Sequence, residues 1–514
     1  AGSIVQVYPG MCYEDSWPNC TNGGTLNLAV PSDPDDPLLT NWTKPATNPI
    51  ANNTARDPSS AWQTIHGEWR LVTYNSIVFA SADFKTWYRV GTQENFTVGE
   101  CPTLFPLPGA ADTLSSAAPR GRPSHVYKHS NGAGDYYRPG TYTDGKPGAL
   151  GTWVPWEWPY GDIDKQMDAG AFYASKDLYD AAHDRRILWG WTQYTPPGQG
   201  VLSLPRELTW HDELQQMMFS PLPEQDQLRR SRMARQGPRL LAPGVHRLDG
   251  GEGWPLGAGR QGEIEVTFGL PSENASFGVS VMVGDDLAAS GMLFYASYTV
   301  PSLAKPAVRR IIAGSTNLSI SSQYAEMMND TNLWCCDYAR VNATGPSECQ
   351  ALCKADATQC AAWTFYAPPD GRCLLRNEVR NSAQTDWRPP AYQAGATSGV
   401  LKPSLLLGGR TDVLNMSPND QNLTIRVYVD NLLSEAFWQH GRVAMTRQSA
   451  PTASAGVGIH VLSGSAVELK LAEAWSVGDI WVEPEDVIRT PRARQAPAKE
   501  YSRARGGTRE EGSQ

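Results

Sequence analysis

The sequence predicts an all-β protein in which a β-propeller is followed by a β-sandwich. Its 514 residues contain 47 glycines and 39 prolines, which mark frequent turns. Apolar or alternating runs recur at short spacing, as expected of many short strands, and no long helical periodicity is present. This length accommodates two or three domains. The 18 tryptophans and 20 tyrosines suit sugar stacking, although sheet cores use aromatic residues equally well.

Residues 1–222 are predicted to form the propeller. The runs bounded by Gly, Pro, Asp and Asn are "SIVQVY", "WRLVTY", "SIVFASADF", "AGAFYASKDL" and "RRILWGWTQY". Repeated strand pairs of this kind are typical of propeller blades, because each blade is a small antiparallel sheet. The acidic stretch "PSDPDDP" at residues 31–37 has turn chemistry and is predicted to be a loop.

The second half of the chain alternates apolar and polar residues. Runs such as "GEIEVTFGL" and "NLTIRVYVD" predict a two-sheet sandwich over residues 241–487. The charged segment 223–240 between the halves is predicted to be a linker or a short helix. Residues 488–514 lack apolar periodicity, and we expect them to be disordered.

A cysteine-rich insert at 333–380 interrupts the predicted sandwich. Six of the nine cysteines lie between Cys335 and Cys373, which is typical of an oxidised framework. Ser347 can cap a short helix that carries Cys349 and Cys353 on one face. A zinc site is the alternative, but the cluster contains no histidine. These observations leave the cysteine pairing open.

The insert resembles a PAN/apple-type module in its E-C-x-x-x-C, C-x-x-W-x-F/Y and C-x-L patterns. The resemblance implies the disulfides Cys349–Cys373 and Cys353–Cys360. Such modules bind proteins or carbohydrates, so a protein or glycan ligand is one expectation. A disulfide-stapled insertion without a ligand is the other.

Composition and sequons indicate a protein of the secretory route, extracellular or vacuolar, and N-glycosylated. The net charge is −9 and no basic stripe is present, so nucleic acid is not an expected partner. No run of 18 apolar residues predicts a membrane span. The chain opens at Ala1 without a methionine, and we expect that its N-terminus has been removed. Ten Asn-x-Ser/Thr sequons are present, at Asn19, Asn41, Asn52, Asn95, Asn274, Asn317, Asn329, Asn342, Asn415 and Asn422.

Two short motifs each place a carboxylate beside a proline, which stiffens the backbone. They are Arg56-Asp57-Pro58 and Glu100-Cys101-Pro102, with a predicted strand pair between them. Glycoside hydrolysis requires two carboxyl groups at one anomeric carbon, one protonated and one ionised. We therefore expect the two acids to converge on one cavity.

Several motifs, in order, resemble the acid invertases and fructan hydrolases of glycoside hydrolase family 32. "ARDPSSAW" is similar to the family's R-D-P-[TS]-x-A-W, and "GECPTLFPL" is similar to E-C-P-D-x-F-P. "MDAGAFYASKDLYD", "RRILWGW" and "LTIRVYVDNLLSEAF" are similar to later family motifs. The resemblance covers about 400 residues and implies a five-bladed propeller whose first blade is incomplete here.

The resemblance also implies a reaction and its residues. The expected activity is cleavage of terminal β-D-fructofuranosides, sucrose or fructans, by a retaining double displacement. Glu100 is the implied general acid/base, with a pKa raised by a partly apolar loop. Asp57 is the implied transition-state stabiliser, Arg56 binds the sugar and keeps Asp57 ionised, and Asp168 lies at the rim toward the second sugar. Carboxylates alone carry out this chemistry, so no metal or organic cofactor is expected.

The sequence departs from the family pattern at the nucleophile. No N-D-P-N-G motif is present, so we expect the nucleophile upstream of Ala1 and this fragment to be nearly inactive. Thr103 replaces the aspartate of E-C-P-D. The alternative is therefore a non-catalytic extracellular relative that only binds carbohydrate. A five-bladed arabinan- or xylan-type hydrolase would share the propeller but not the pair of motifs.

Overall fold

The computed structural model describes residues 4–10, 24–107, 122–132, 134–158, 164–180, 182–193, 200–248, 261–284, 291–299, 309–318, 328–332, 337–355, 360, 362–376, 391–400, 410–448 and 456–490. Within these ranges the ordered elements are almost all strands, which confirms the all-β prediction. Two α-helices lie entirely within the described ranges and are short: α1 (Pro346–Ala355) and α2 (Pro484–Arg489). No helix in the described ranges has the length and apolar character that a membrane crossing requires.

The first half of the chain forms four small antiparallel sheets, here named blades A to D. Blade A contains β1 (Gln6–Gly10), β2 (Thr25–Pro31), β3 (Trp42–Thr43) and β4 (Ala51–Asn52), and blade B contains β5 (Trp62–Gln63), β6 (Trp69–Thr73), β7 (Ile77–Ser81) and β8 (Tyr88–Thr92). Blade C contains β9 (Glu100–Pro106), β10 (His125–Asn131), β11 (Gly134–Thr143), β12 (Thr152–Pro155) and β13 (Lys165–Gln166). Blade D contains β14 (Tyr173–Asp180), β15 (Arg185–Gln193), β16 (Gly200–Leu202), β17 (Arg206–His211) and β18 (Gln216–Pro221). A fifth blade is not among the described residues.

The second half forms two packed sheets. One contains β19 (Arg229–Gln236), β20 (Arg239–Leu241), β22 (Gln261–Gly269), β32 (Asn422–Asp430), β33 (Leu433–Trp438), β34 (Val443–Gln448) and β36 (Val467–Val477). The other contains β21 (Gly244–Arg247), β23 (Ala275–Val283), β24 (Met292–Tyr298), β25 (Arg309–Asn317), β31 (Arg410–Met416) and β35 (Gly456–Gly464). Leu423, Ile425 and Val427 of β32 are fully buried, as the period-2 alternation predicts for one face of a sandwich sheet.

The segment 223–240, predicted as a linker or a short helix, contains a 3-10 helix over Pro223–Leu228 and then strands of the sandwich, in which β19 pairs with β36. These strands were not predicted, because charged side chains on an edge strand face solvent and hide the strand pattern. Arg232 and Arg235, for example, both contact Glu473 of the neighbouring strand.

The cysteine-rich insert emerges between β25 and β31, which are hydrogen-bonded neighbours in one sandwich sheet. Its own sheet contains β26 (Met328–Asn332), β27 (Asp337–Asn342), β28 (Ala362–Tyr366), β29 (Arg372–Arg376) and β30 (Ala391–Val400), so it extends beyond the predicted 333–380. The expected disulfides Cys349–Cys373 and Cys353–Cys360 are both present. They pack around the fully buried Trp363.

Three segments from the sequence predictions lie outside the described residues. They are Cys335 and Cys336, the sequon at Asn19, and all but the first three residues of the predicted tail. The predicted loop at 31–37 is a turn in which Asp33 accepts the backbone N–H of Asp35 at 2.9 Å.

The propeller and the sandwich share one hydrophobic core. Phe105, Leu188 and Phe219 from blades C and D cluster with Phe437 and Ala444 of the sandwich. Burial of large apolar side chains is worth about 1.5–3 kcal/mol each. This shared core therefore fixes blade D, which supplies part of the candidate site, against the sandwich.

Candidate active site

The two predicted acids meet around one arginine. Glu100 begins β9 of blade C, and Asp57 lies in the loop between β4 and β5. The guanidinium of Arg56 forms an ion pair with Glu100, and its Nε lies 3.5 Å from Oδ2 of Asp57. The backbone N–H of Cys101 also donates to Oδ2 of Asp57, at 3.3 Å. The structure therefore brings together three of the four predicted site residues.

Tyr173 completes this group from blade D. Its phenolic hydroxyl donates to Oε2 of Glu100, while Arg56 binds Oε1 of the same carboxylate. Burial and the nearby Glu100 carboxylate raise the pKa of Tyr173, so the hydroxyl stays protonated as a donor. Sequence reasoning did not single out Tyr173, although the "GAFYASK" run that contains it was among the family-like motifs.

The environment of Glu100 lowers its pKa, and the prediction of a raised pKa was wrong. The hydrogen bond from Tyr173 is the largest cause, and the hydrogen bond and charge of Arg56 act in the same direction. Burial opposes them, but the side chain keeps 33% of its surface exposed. Two donors that stabilise the carboxylate therefore outweigh the partly apolar surroundings.

Four residues around the site adopt left-handed backbone conformations without being glycine. Their φ angles are 59° at Ala55, 60° at Asp57, 47° at Cys101 and 50° at Ala174. Such conformations cost on the order of 1–3 kcal/mol each and persist where the surrounding contacts impose them. They occur in the three chain segments that carry Asp57, Glu100 and Tyr173, so each of these segments is locally strained.

Neighbouring groups hold the Arg56–Asp57 loop in place. The guanidinium of Arg56 lies 4.3 Å from the ring centre of Tyr74, in cation–π contact. The backbone N–H of Tyr74 donates to the carbonyl of Arg56 at 2.9 Å. Lys176 of β14 donates to the carbonyl of Pro58 at 3.1 Å, which ties this loop to blade D.

Asp168, the fourth predicted site residue, lies elsewhere, and its prediction at the rim was wrong. Its side chain has no exposed surface and forms an ion pair with Arg206 at 2.8 Å. It also accepts the hydroxyl of Thr446 at 2.7 Å. Arg206 in turn binds Glu435 of β33 at 2.6 Å. Through these contacts Asp168 joins the propeller to the sandwich. Arg206 supplies the paired charge that a buried carboxylate needs.

The assembled group can carry part of a carbohydrate-cleaving reaction. Two carboxylates and an arginine face one position that is open to solvent, since Arg56 and Glu100 keep 40% and 33% of their side-chain surface exposed. Carboxylate oxygens accept sugar hydroxyls, and a guanidinium donates to them. Within the described ranges no three His, Cys, Asp or Glu residues are grouped so that they could hold a metal ion.

Comparisons with known proteins match both halves of the chain to one family. A family model described as the N-terminal domain of glycosyl hydrolases family 32 matches residues 3–221, and its C-terminal counterpart matches residues 373–476. The fructan 6-exohydrolase of Triticum aestivum is 30% identical over an alignment of 288 residues, and the match covers 48% of this chain and 46% of that protein. The insoluble isoenzyme 6 of β-fructofuranosidase from Oryza sativa subsp. japonica is 27% identical, over 90% of this chain and 74% of that protein.

A solved structure shares the fold. The crystal structure of fructan 1-exohydrolase IIa from Cichorium intybus superposes with a TM-score of 0.63 at 19% sequence identity, over 92% of this chain and 81% of that one. The chain spans about half the length of the first curated relatives that it matches. Together the two matched regions cover more than half of the sequence, in the family order of a propeller followed by a sandwich. The chain belongs to glycoside hydrolase family 32.

Proposed function

We propose that the protein containing this chain hydrolyses terminal β-D-fructofuranosides, sucrose or fructans, with retention of configuration. The observation that carries this proposal is the convergence of Asp57 and Glu100 on one arginine, Arg56, at a solvent-accessible position. Glycoside hydrolysis requires carboxyl groups at the scissile bond, one of which must exchange a proton with the leaving oxygen, and the retaining course is what the family resemblance implies.

Each residue has a distinct proposed role. Glu100 donates a proton to the leaving sugar oxygen and later takes one from water. Asp57 accepts hydroxyl hydrogen bonds of the fructosyl unit that strengthen in the oxocarbenium-like transition state. Arg56 binds the same unit and keeps Asp57 ionised. The nucleophilic carboxylate is not assigned among the described residues.

Because the pKa of Glu100 is low in the free chain, we propose that substrate binding raises it. In the free chain Arg56 and Tyr173 hold Glu100 as a carboxylate, which suits a base and not an acid. A fructosyl unit that accepts hydrogen bonds from Arg56 draws this cation away from Glu100. The pKa of Glu100 then rises toward the value that an acid catalyst needs.

The relatives support fructosides as the substrate class. Curated relatives are named β-fructofuranosidases and fructan exohydrolases, and the chicory fructan 1-exohydrolase has been solved in complex with 1-kestose. Other relatives are named as vacuolar or insoluble isoenzymes. Together with the exposed sequon residues Asn41 and Asn95, these names support a glycosylated protein of the secretory route.

The test is an assay of two secreted products: this chain, and the complete product of its gene. We expect the complete product to release fructose from sucrose or 1-kestose. Glu100→Gln in the complete product should lower the rate by about 10²–10⁴-fold. Reaction in methanol should give methyl β-fructofuranoside. Full activity of the Glu100→Gln variant would exclude the acid/base assignment.

One observation favours a second candidate, a carbohydrate-binding relative without activity. The negative charge of Glu100 is already balanced by the ion pair with Arg56 in the free chain, as in a site that only binds hydroxyl groups. Saturable binding of sucrose or 1-kestose by calorimetry, with no fructose released by either product, would support this candidate. We propose no ligand for the cysteine-rich insert.

A further inference from the structure

A buried ion pair lies next to the contact between Glu100 and Tyr173. Nζ of Lys128, on β10, is 3.0 Å from Oδ2 of Asp135, on β11, and the two side chains are 2% and 0% exposed. Lys128 and Ser130 share one face of blade C because side chains alternate along a strand, and Asp135 is the cross-strand partner of Ser130. The charges therefore meet on one face of the sheet.

This ion pair holds backbone groups from two blades. Nζ of Lys128 donates to the carbonyl of Cys101 at 3.3 Å and to the carbonyl of Ser175 at 2.8 Å. Oδ2 of Asp135 accepts the N–H of Ser175 at 2.7 Å. Cys101 follows Glu100 in β9, and Ser175 is two residues beyond Tyr173 in β14. The same pair therefore contacts both segments that form the Glu100–Tyr173 hydrogen bond.

These two segments are also strained. Cys101 and Ala174 have φ angles of 47° and 50°, which side-chain-bearing residues adopt only when other contacts impose them. A buried ion pair is a poor source of stability, since desolvation offsets most of its attraction. It is, however, a directional source of hydrogen bonds to carbonyl and amide groups.

We propose that Lys128 and Asp135 are positioning residues that set the geometry of Glu100 and Tyr173 across the boundary between blades C and D. Neither side chain reaches solvent, so the pair acts through the backbone at Cys101 and Ser175 and does not touch substrate. The expected effect of this ion pair on turnover rests on the function proposed above. Its expected effect on the local structure around Cys101 does not depend on that function.

The test compares two double variants. Lys128→Met/Asp135→Asn removes both charges without leaving either one unpaired. The matched control is Arg70→Met/Glu68→Gln, which removes a second buried ion pair in blade B. Arg70 also donates to a backbone carbonyl, that of Ala149 at 2.9 Å, but the control pair contacts none of the site residues described above.

The first measurement requires no activity. Cys101 is a free thiol of intermediate exposure beside Glu100, so its alkylation by iodoacetamide, compared as the rate constant of the thiolate to remove the effect of Lys128 and Asp135 on the thiol pKa, reports local opening. Peptide mass spectrometry should show about tenfold faster alkylation of Cys101 in the Lys128/Asp135 variant than in the wild type. The control variant should match the wild type. Equal Cys101 rates in the two variants would overturn the proposal.

The second measurement is kinetic, in the complete gene product with sucrose. Loss of positioning should lower kcat by about 10²-fold and leave KM within about twofold, whereas the control leaves both unchanged. If the wild type hydrolyses no sucrose, the proposed function fails while the Cys101 comparison still decides the positioning role.

If the double variant does not fold, a milder variant tests the proposal. Ser130→Ala removes one acceptor of Lys128, at 3.0 Å, without unpairing a charge. It should increase the Cys101 alkylation rate by about two- to threefold. An unchanged rate would then count against the proposal.

Discussion

Tyr173 donates a hydrogen bond to Glu100 across the boundary between two propeller blades, and this contact is the largest cause of the lowered pKa of Glu100. Arg56 binds the other oxygen of the same carboxylate. The proposed acid/base therefore depends on three chain segments, the loop before blade B and the first strands of blades C and D. Each of them contains a residue in the left-handed conformation.

Removal of the Tyr173 hydroxyl should shift the pH profile of hydrolysis. Tyr173→Phe takes away a donor that stabilises the carboxylate, so the pKa of Glu100 rises. The first chemical step needs protonated Glu100, and the alkaline limb of kcat/KM should therefore move to higher pH. The matched control is Tyr88→Phe, which removes a similar donor to Glu68 in blade B. A limb that stays in place, or moves to lower pH, would show that Tyr173 does not control Glu100.

The ion pairs of Arg206 with Asp168 and Glu435 should contribute strongly to the stability of the interface between propeller and sandwich. Arg206→Met leaves Asp168 and Glu435 buried without a counter-charge, which should lower the free energy of unfolding by about 3–5 kcal/mol. Urea denaturation measures this loss. The triple variant with Asp168→Asn and Glu435→Gln should recover most of it, because no uncompensated charge remains.

Asp168 should have no part in substrate choice. Asp168→Asn is expected to lower Tm and to leave the ratio of KM for sucrose and 1-kestose unchanged, since its carboxylate has no exposed surface. A change in that ratio without a change in Tm would restore the rim position that the sequence suggested.

The two disulfides should stabilise the insert unequally. Cys349–Cys373 spans 24 residues and Cys353–Cys360 spans 7, so loop-closure entropy predicts losses of about 3 and about 2 kcal/mol respectively when each pair is replaced by alanine. Hydrogen exchange in β28 and β29 measures both losses of stability, and exchange in β9 and β10 serves as the internal reference. An equal loss of protection in the propeller would mean that the insert does not unfold locally.

Asn415 should carry no glycan although it begins a sequon. Its side chain is 2% exposed and donates to Gln216 at 2.9 Å, so a glycan has no room in the folded protein. Asn95 is exposed and should be accessible. Glycopeptide mass spectrometry of the secreted protein tests both positions, and an occupied Asn415 would contradict the described packing of β31 against the propeller.

Local patterns along the chain were enough to predict the fold class, the family and the identity of the two acids. Turn frequency and period-2 alternation are local properties, and they predicted the strands because each strand buries one face. The motifs around Arg56, Asp57 and Glu100 are short and contiguous. Each could therefore be read without knowing which blade it occupies.

The groups that surround those acids could not be predicted, because they come together only when the chain is packed. The pKa of Glu100 depends on Tyr173, which is 73 residues away in the chain, and the burial of Asp168 depends on Arg206 and Thr446, the latter 278 residues away. The sequence also concealed the edge strand β19, since its charged residues face solvent. Hydrogen bonds and ion pairs act over a few ångströms in space whatever the separation along the chain, so electrostatic roles and domain contacts were set only when the blades and the sandwich packed together.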